Sequence, residues 1–179
     1  TLKNVENYFN DPSLVSNSSF FLLYLSGERT PHNDAHIRGS FHAIKTTTDA
    51  TNMQYAVIEG VSFGILDGVN SILKVNDNFE KIFMVGGGSR SSFWIELLAS
   101  LLNRNLSVCD QSEYGAALGV ARLAMHSDKS IQNNNIIKEI TTSKDYFPSS
   151  NKSDILMKRY QIWKDLYSTN KKIASNLIS

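Results

Sequence analysis

The sequence of 179 residues contains one cysteine, three prolines and almost no net charge, with 18 Lys and Arg against 17 Asp and Glu. A lone cysteine, Cys109, excludes an internal disulfide framework and a metal site built from several cysteines. A formal charge of +1 excludes broad electrostatic capture of nucleic acid or of an anionic membrane as the main activity. We therefore expect a protein of a reducing, cytoplasmic environment that binds neither nucleic acid nor membrane.

Long apolar runs and internal repeats are also absent. No apolar run approaches the ~20 residues that a transmembrane helix needs, and no period typical of solenoid repeats is present. The first residues, up to Pro12, lack the charged start and apolar core of a signal peptide. The remaining composition, with 41% hydrophobic residues, is typical of one ordinary folded domain or of two small ones.

Apolar runs and apolar periodicity predict strands that alternate with helices. The strands are predicted at 20–25, 39–44, 81–85 and 106–109. The helices are predicted at 1–10, from 52 to about 74, from Ser89 or Ser91 onward, from 113 to about 125, and from 154 to 177, with a polar linker at 127–135. This order favours an α/β domain built on a parallel or mixed sheet.

The long predicted helix carries glycines at steps of four, Gly60, Gly64 and Gly68. Each costs a helix ~1 kcal/mol relative to alanine, so we expect another backbone to approach closely along this stripe. If the stripe is exposed, it is a candidate surface for self-association. Glu59 and Asp67 lie on a similar face and could form a catalytic carboxylate pair. Because buried acids are usually paired, we favour an arginine or loop N–H groups as their partners.

The most informative segment is the turn of Gly86, Gly87 and Gly88 with Ser91, which follows a predicted strand and precedes a predicted helix. Glycines have no Cβ and let a ligand approach the backbone closely. A helix N-terminus adds unpaired N–H groups and a partial positive charge. This combination predicts a nucleotide site, and the alternative is a tight strand-to-helix turn without a ligand.

Two known phosphate-binding patterns can be compared with this turn. The P-loop pattern is absent, because no Gly-Lys-Ser/Thr follows the glycines. The dinucleotide fingerprint matches in part, with Gly86 and Gly88 followed by Ser91 where a third small residue belongs. Asp110 ends the next predicted strand, near the place of a ribose-binding acid. These residues alone do not exclude a dinucleotide-binding domain.

The segment 26–39 is rich in ionisable side chains, namely Glu28, Arg29, His32, Asp34, His36 and Arg38. Because α/β sheets bind ligands at the carboxyl ends of their strands, this segment could line a cleft. Loop charges are usually solvated, so a salt-bridged surface loop that supports its neighbours is favoured. No helix is predicted around His32, His36 and His42 that could place two of them on one face as metal ligands, and no metal site is predicted.

Five segments, taken in order, resemble the C-terminal domain of the FGGY family of carbohydrate kinases. They are 24–34, 38–41, 56–63, 86–94 and 115–124. The resemblance extends from about residue 20 to 125, and the string at 25–32 is most similar to family members that phosphorylate pentuloses such as D-xylulose. It implies the ribonuclease-H-like fold of actin-like ATPases, an α/β domain with a mixed sheet and flanking helices.

The resemblance also implies a function and a set of site residues. The family transfers the γ-phosphoryl group of MgATP to a sugar hydroxyl, here in xylose metabolism, and its glycine-rich turn holds the adenosine part of the nucleotide. This assigns Gly86, Gly87, Gly88 and Ser91 to ATP or ADP. The family's catalytic aspartate and most of its sugar contacts lie in segments that are missing from this chain. No catalytic residue is assigned, and we expect an inactive fragment of the kinase.

The implied organisation has three parts. Residues 1–19 form an N-terminal remnant helix and linker, 20–126 form the core of the nucleotide-binding lobe, and 127–179 form a linker and a helix that packs on the same lobe. A lobe that normally packs against another is expected to expose an apolar patch when alone, and a homodimer formed through such a patch is one possibility. Another FGGY sugar kinase, of the ribulose, gluconate or glycerol type, and a non-catalytic nucleotide-binding module remain as alternatives.

Overall fold

The computed structural model describes residues 2–75, 81–110, 114–127 and 140–178. In these ranges the helices are α1 (Leu2–Phe9), α2 (Pro12–Ser16), α3 (Ala50–Leu73), α4 (Ser92–Leu102), α5 (Gly115–Ser127) and α6 (Ser150–Ile178). The strands are β1 (Phe20–Leu22), β2 (Ser40–His42), β3 (Ile82–Met84), β4 (Leu106–Cys109) and β5 (Thr142–Tyr146). A short 3₁₀ turn, Gly87–Arg90, precedes α4.

The strands form two small sheets. β1 and β2 pair in antiparallel fashion, with Phe20 opposite His42. β3 and β4 pair in parallel, with Ile82 opposite Leu106, and β5 pairs with the other side of β4 in antiparallel fashion. The parallel pair, connected through α4, brings the carboxyl ends of β3 and β4 to one edge of the sheet. The predicted α/β class, with a mixed sheet and flanking helices, is confirmed.

Two elements were missed by the sequence analysis. The first is α2. The carboxylate of Asp11 accepts the backbone N–H groups of Ser13 and Leu14 as its N-cap, and Pro12 is the first helical residue. β5 is exposed at all but its last residue, so its sequence carries no apolar pattern. The predicted linker at 127–135 lies outside the described residues, apart from Ser127.

The glycine stripe of α3 packs against β1. A Cβ atom at Gly60 would lie 2.2 Å from the carbonyl oxygen of Phe21, and one at Gly64 would lie 2.9 Å from a methyl group of Leu23. A Cβ atom at Gly68 would meet no atom within 4 Å. The predicted close approach of another backbone is therefore confirmed at Gly60. Of the two possibilities left open for the stripe, this part of it is internal and does not form a surface for self-association.

The main core joins both ends of the described chain. Val5 of α1 and Tyr55 of α3 are buried together with residues of β1, α4 and α6. Trp163 of α6 is almost completely buried, and its indole N–H donates to the carbonyl oxygen of Phe21 at 2.8 Å. α1 and α6 thus pack on the same core as β1 and α3.

Among the described residues, α3 is long and apolar enough to cross a membrane, with a mean hydropathy of 1.4 over a window of 18 residues. Its position in the structure explains this composition. Tyr55 and Phe63 are fully buried in the main core, and Glu59 and Asp67 on the same helix are buried with hydrogen-bonding partners. These contacts are those of the central helix of a folded core.

Gly60→Ala is expected to lower the free energy of unfolding by about 2 kcal/mol or more, because the added Cβ overlaps the Phe21 carbonyl group and one backbone must move. Gly68→Ala is the matched control on the same helix, and it should be neutral or raise the free energy of unfolding by up to ~1 kcal/mol. Urea unfolding followed by circular dichroism measures both. Equal effects of the two substitutions would contradict this packing.

Candidate functional site

The glycine turn lies at the sheet edge where β3 and β4 both end. Gly86 has a φ angle of 86° and a ψ angle of −174°, a conformation that only glycine adopts without strain. The 3₁₀ turn follows, and Ser91, in extended backbone, is the N-cap residue of α4. The predicted order of strand, glycine turn and helix is confirmed.

The three glycines of the turn face different surroundings. Among the residues that the structure describes, no atom would lie within 4 Å of a Cβ atom at Gly86 or Gly87. A Cβ atom at Gly88 would lie 2.7 Å from Cζ3 of Trp94. The first two glycines therefore face open space, and the third is in contact with the protein.

Hydrogen bonds inside the turn hold its shape. The N–H and Oγ of the buried Ser89 donate to the carbonyl oxygen of Gly86 at 3.1 and 2.7 Å, and the N–H of Ser91 donates to that of Gly88 at 3.1 Å. The side chain of Ser91 makes no capping hydrogen bond to α4. Of the two helix starts that the sequence left open, Ser89 and Ser91, the N-cap residue is Ser91. The first N–H groups of α4 therefore have no partner within the helix or from this hydroxyl.

A second helix begins beside the turn. Gly115 is the first residue of α5, and a Cβ atom there would lie 3.5 Å from the Cβ of Val85, which connects β3 to Gly86. The N-terminal ends of α4 and α5 therefore flank the same sheet edge, and each contributes partial positive charge. Sequence analysis did not place Gly115 or Trp94 at the turn, because both contacts depend on how the helices fold back.

The predicted ionisable loop packs against α6. The carboxylate of Asp34 accepts the N–H of His36 and the hydroxyl of Tyr167, both at 2.9 Å, and lies 3.5 Å from Nζ of Lys171. The N–H of His36 is the main cause that lowers the pKa of Asp34 to about 2. The His32 ring stacks on Tyr167 with ring centroids 3.6 Å apart. These contacts support the interpretation as a loop that supports its neighbours.

The two acids of α3 are used as structural partners of α6. Arg159 donates to each carboxylate oxygen of Glu59 at 2.7 Å, and Tyr55 donates to the same carboxylate at 3.2 Å. Asp67 accepts a hydrogen bond from the hydroxyl of Tyr160. The arginine partner expected from the sequence is confirmed for Glu59, whereas a tyrosine takes this role for Asp67.

Burial is the main cause of the pKa shifts of Glu59, His32 and Cys109. It raises the pKa of the Glu59 carboxyl, and the neighbouring Arg159 guanidinium opposes that shift. It lowers the pKa of His32, whose Nε2 lies 4.0 Å from the carboxylate of Asp67. It also raises the pKa of the Cys109 thiol, as expected for a small core residue.

Two of the three histidines named in the sequence analysis, His32 and His42, contact other side chains. His32 stacks on Tyr167, and Nε2 of His42 lies 2.6 Å from Oγ of Ser40. Within the described ranges no group of three His, Cys, Asp or Glu side chains could hold a metal ion.

Comparison with known proteins identifies the family. Residues 6–127 match the model of the FGGY family of carbohydrate kinases, C-terminal domain. A xylulose kinase from Staphylococcus epidermidis is 28% identical over 182 residues, which cover 100% of this chain and 36% of that protein. The chain therefore belongs to the FGGY family of carbohydrate kinases and corresponds to its C-terminal domain, and the predicted resemblance is confirmed.

Solved structures agree with this assignment. A xyloylose kinase from Brucella ovis superposes with a TM-score of 0.76 at 30% identity, covering 97% of this chain and 39% of that one. A gluconate kinase from Lactobacillus acidophilus superposes with a TM-score of 0.73 at 27% identity, covering 94% of this chain and 33% of that one. The fold is the ribonuclease-H-like fold of actin-like ATPases, and the chain spans between 33% and 39% of the length of these relatives.

Arg159→Met is expected to lower the free energy of unfolding by about 3–5 kcal/mol, because it leaves the Glu59 carboxylate buried without its cation. Lys158→Met, at the exposed neighbouring position, is the matched control and should change little. Adding Glu59→Gln to Arg159→Met should recover part of the loss, since the unpaired charge is removed. Urea unfolding at pH 7 measures all of these variants, and a loss no larger than that of Lys158→Met would refute the role of the pair.

Proposed function

We propose that this chain is the nucleotide-binding lobe of a sugar kinase, and that Gly86, Gly87, Gly88 and Ser91 hold the adenosine part of ATP or ADP. The observation that carries this proposal is the open space at the first two glycines, beside the N-terminus of α4. A nucleoside can approach the backbone there at a distance that a side chain would prevent. The first N–H groups of α4 supply donors for its polar atoms.

The family supports ATP as the phosphoryl donor. Phosphoryl transfer depends on positioning and charge neutralisation, and Mg²⁺ neutralises the phosphate oxygens. The described residues offer no cluster of metal ligands. We therefore assign Mg²⁺ to the phosphates of the nucleotide, together with acids from other parts of a longer protein. Membership of a carbohydrate-kinase family also favours ATP over a dinucleotide.

D-Xylulose is the proposed phosphoryl acceptor, which gives D-xylulose 5-phosphate and ADP as products of the longer enzyme. The name of the Staphylococcus epidermidis relative supports this choice. The catalytic aspartate and the sugar pocket are assigned to an N-terminal lobe outside this chain. A cytoplasmic location and a role in xylose metabolism follow from the same assignment. The gluconate kinase is a similarly close structural relative, so gluconate is the second candidate acceptor.

Isothermal titration of the chain with ADP tests the nucleotide site. Gly87→Gln is expected to lower the affinity about tenfold or more, because its side chain occupies the open space, while thermal stability stays unchanged since no protein atom lies nearby. Gly68→Gln, at another open glycine, is the matched control and should bind ADP like the unchanged chain. Absence of ADP binding, or equal affinity of Gly87→Gln, would refute the site, and preferential binding of NAD would favour a dinucleotide.

The chain alone is expected to give no turnover with ATP and D-xylulose, because the acid that activates the sugar hydroxyl is assigned to another lobe. A coupled assay of ADP release measures this directly. A matched assay of the longer protein with D-xylulose and with gluconate identifies the acceptor. Robust turnover by the isolated chain would overturn the assignment of the catalytic acid.

A further inference from the structure

Trp94 connects the glycine turn to α3. Its ring lies so close to the turn that a Cβ atom at Gly88 would be 2.7 Å from Cζ3 and 3.3 Å from Cε3. On its other side, the indole N–H donates to Oγ of Ser62 at 2.9 Å. Trp94 is therefore in contact with the turn and with the central helix at the same time.

Two consecutive hydrogen bonds through the Ser62 hydroxyl hold the indole ring in position. Ser62 is fully buried, and its hydroxyl donates its proton to the carbonyl oxygen of Ile58 at 2.7 Å. The hydroxyl oxygen can then only accept from the indole N–H. Loss of Ser62 leaves the partly buried indole N–H without its acceptor, and loss of Trp94 removes the hydrogen bond that the buried Ser62 oxygen accepts.

α3, the helix that carries Ser62, is itself held by contacts with its neighbours. α3 is in close contact with β1 at Gly60 and with α6 through Glu59 and Arg159. α5, the other helix beside the turn, has no buried residue. α4 follows the turn and packs in the main core through Phe93 and Leu97, and Trp94 adds a direct contact between the turn and α3.

We propose that Trp94 is a positioning residue for nucleotide binding. By filling the space behind Gly88 and bonding to Ser62, it fixes the path of the turn so that Gly86 and Gly87 face the incoming nucleoside. This inference rests on the proposed nucleotide site. A turn that is ordered before binding does not have to be ordered by the ligand, which increases the affinity.

The first test removes each hydrogen-bonding partner and measures ADP affinity and stability together. Ser62→Ala and Trp94→Phe are each expected to weaken ADP binding by roughly three- to tenfold, the range that corresponds to one hydrogen bond. Trp163→Phe is the matched control, because it also removes a buried indole N–H bond, here to Phe21. It should lower thermal stability and leave the ADP affinity of the folded protein unchanged.

The second test is a double-mutant cycle between Gly88 and Trp94. Gly88→Ala alone should weaken ADP binding, since the turn or the ring must move. Trp94→Leu provides space for the new methyl group, so the double variant should bind ADP more tightly than the two separate losses predict. Strictly additive losses would overturn the inference.

Fluorescence provides a third readout that a purely structural role would not change. The sequence contains two tryptophans, so in Trp163→Phe the emission comes from Trp94 alone. Saturation with ADP should shift or quench this emission with the same midpoint as calorimetry. An emission spectrum that does not respond to bound ADP would contradict contact between the occupied turn and the ring.

Failure of the proposed site and failure of this inference give different results. If the unchanged chain does not bind ADP, the nucleotide site is refuted, and hydrogen exchange of the turn amides still tests the role of Trp94. Faster exchange at 86–91 in Ser62→Ala than in the unchanged chain supports it, and equal exchange overturns it. If the unchanged chain binds ADP and both Ser62→Ala and Trp94→Phe bind it equally well, only the inference is overturned.

Discussion

The buried guanidinium of Arg159 makes the contacts on which the arrangement of the other elements depends. It donates to both oxygens of Glu59 at 2.7 Å and to the carbonyl oxygens of Ser16, Ser18 and Ser19 at 3.4, 3.2 and 3.1 Å. Burying two charges is costly unless each polar atom finds a partner. Here one planar group satisfies a carboxylate and the backbone that leads into β1, which fixes α6 against both.

This fixed core explains why the candidate site lies where it does. The buried acids Glu59 and Asp67 are hydrogen-bonded to side chains of α6 and take part in packing. The proposed binding groups are backbone atoms at a sheet edge, where two helix N-termini meet. The packed core around α3 and the open glycine turn are thus different parts of the structure. The hydrogen bond between Trp94 and Ser62 connects them.

Features that depend on a few neighbouring residues could be predicted from the sequence. The glycine turn, the period of α3 and the buried strands are of this kind, because turn chemistry and apolar spacing are local properties. The surroundings of individual residues could not be predicted. Gly60 and Gly68 look equivalent on one stripe, yet only Gly60 meets a backbone. The partner of Glu59, Arg159, lies 100 residues away in the sequence. β5 is held by pairing with β4, which its own polar sequence does not reveal.

The buried position of Cys109 has a practical consequence for studying motion near the glycine turn. It is the only cysteine of the sequence, it ends β4 beside β3, and burial raises the pKa of its thiol. A thiol of this kind reacts slowly with alkylating reagents while the strand stays in place. Its labelling rate therefore reports the opening of this edge of the sheet without an introduced probe. At high reagent concentration it approaches the opening rate, and at low concentration it follows the fraction of open molecules.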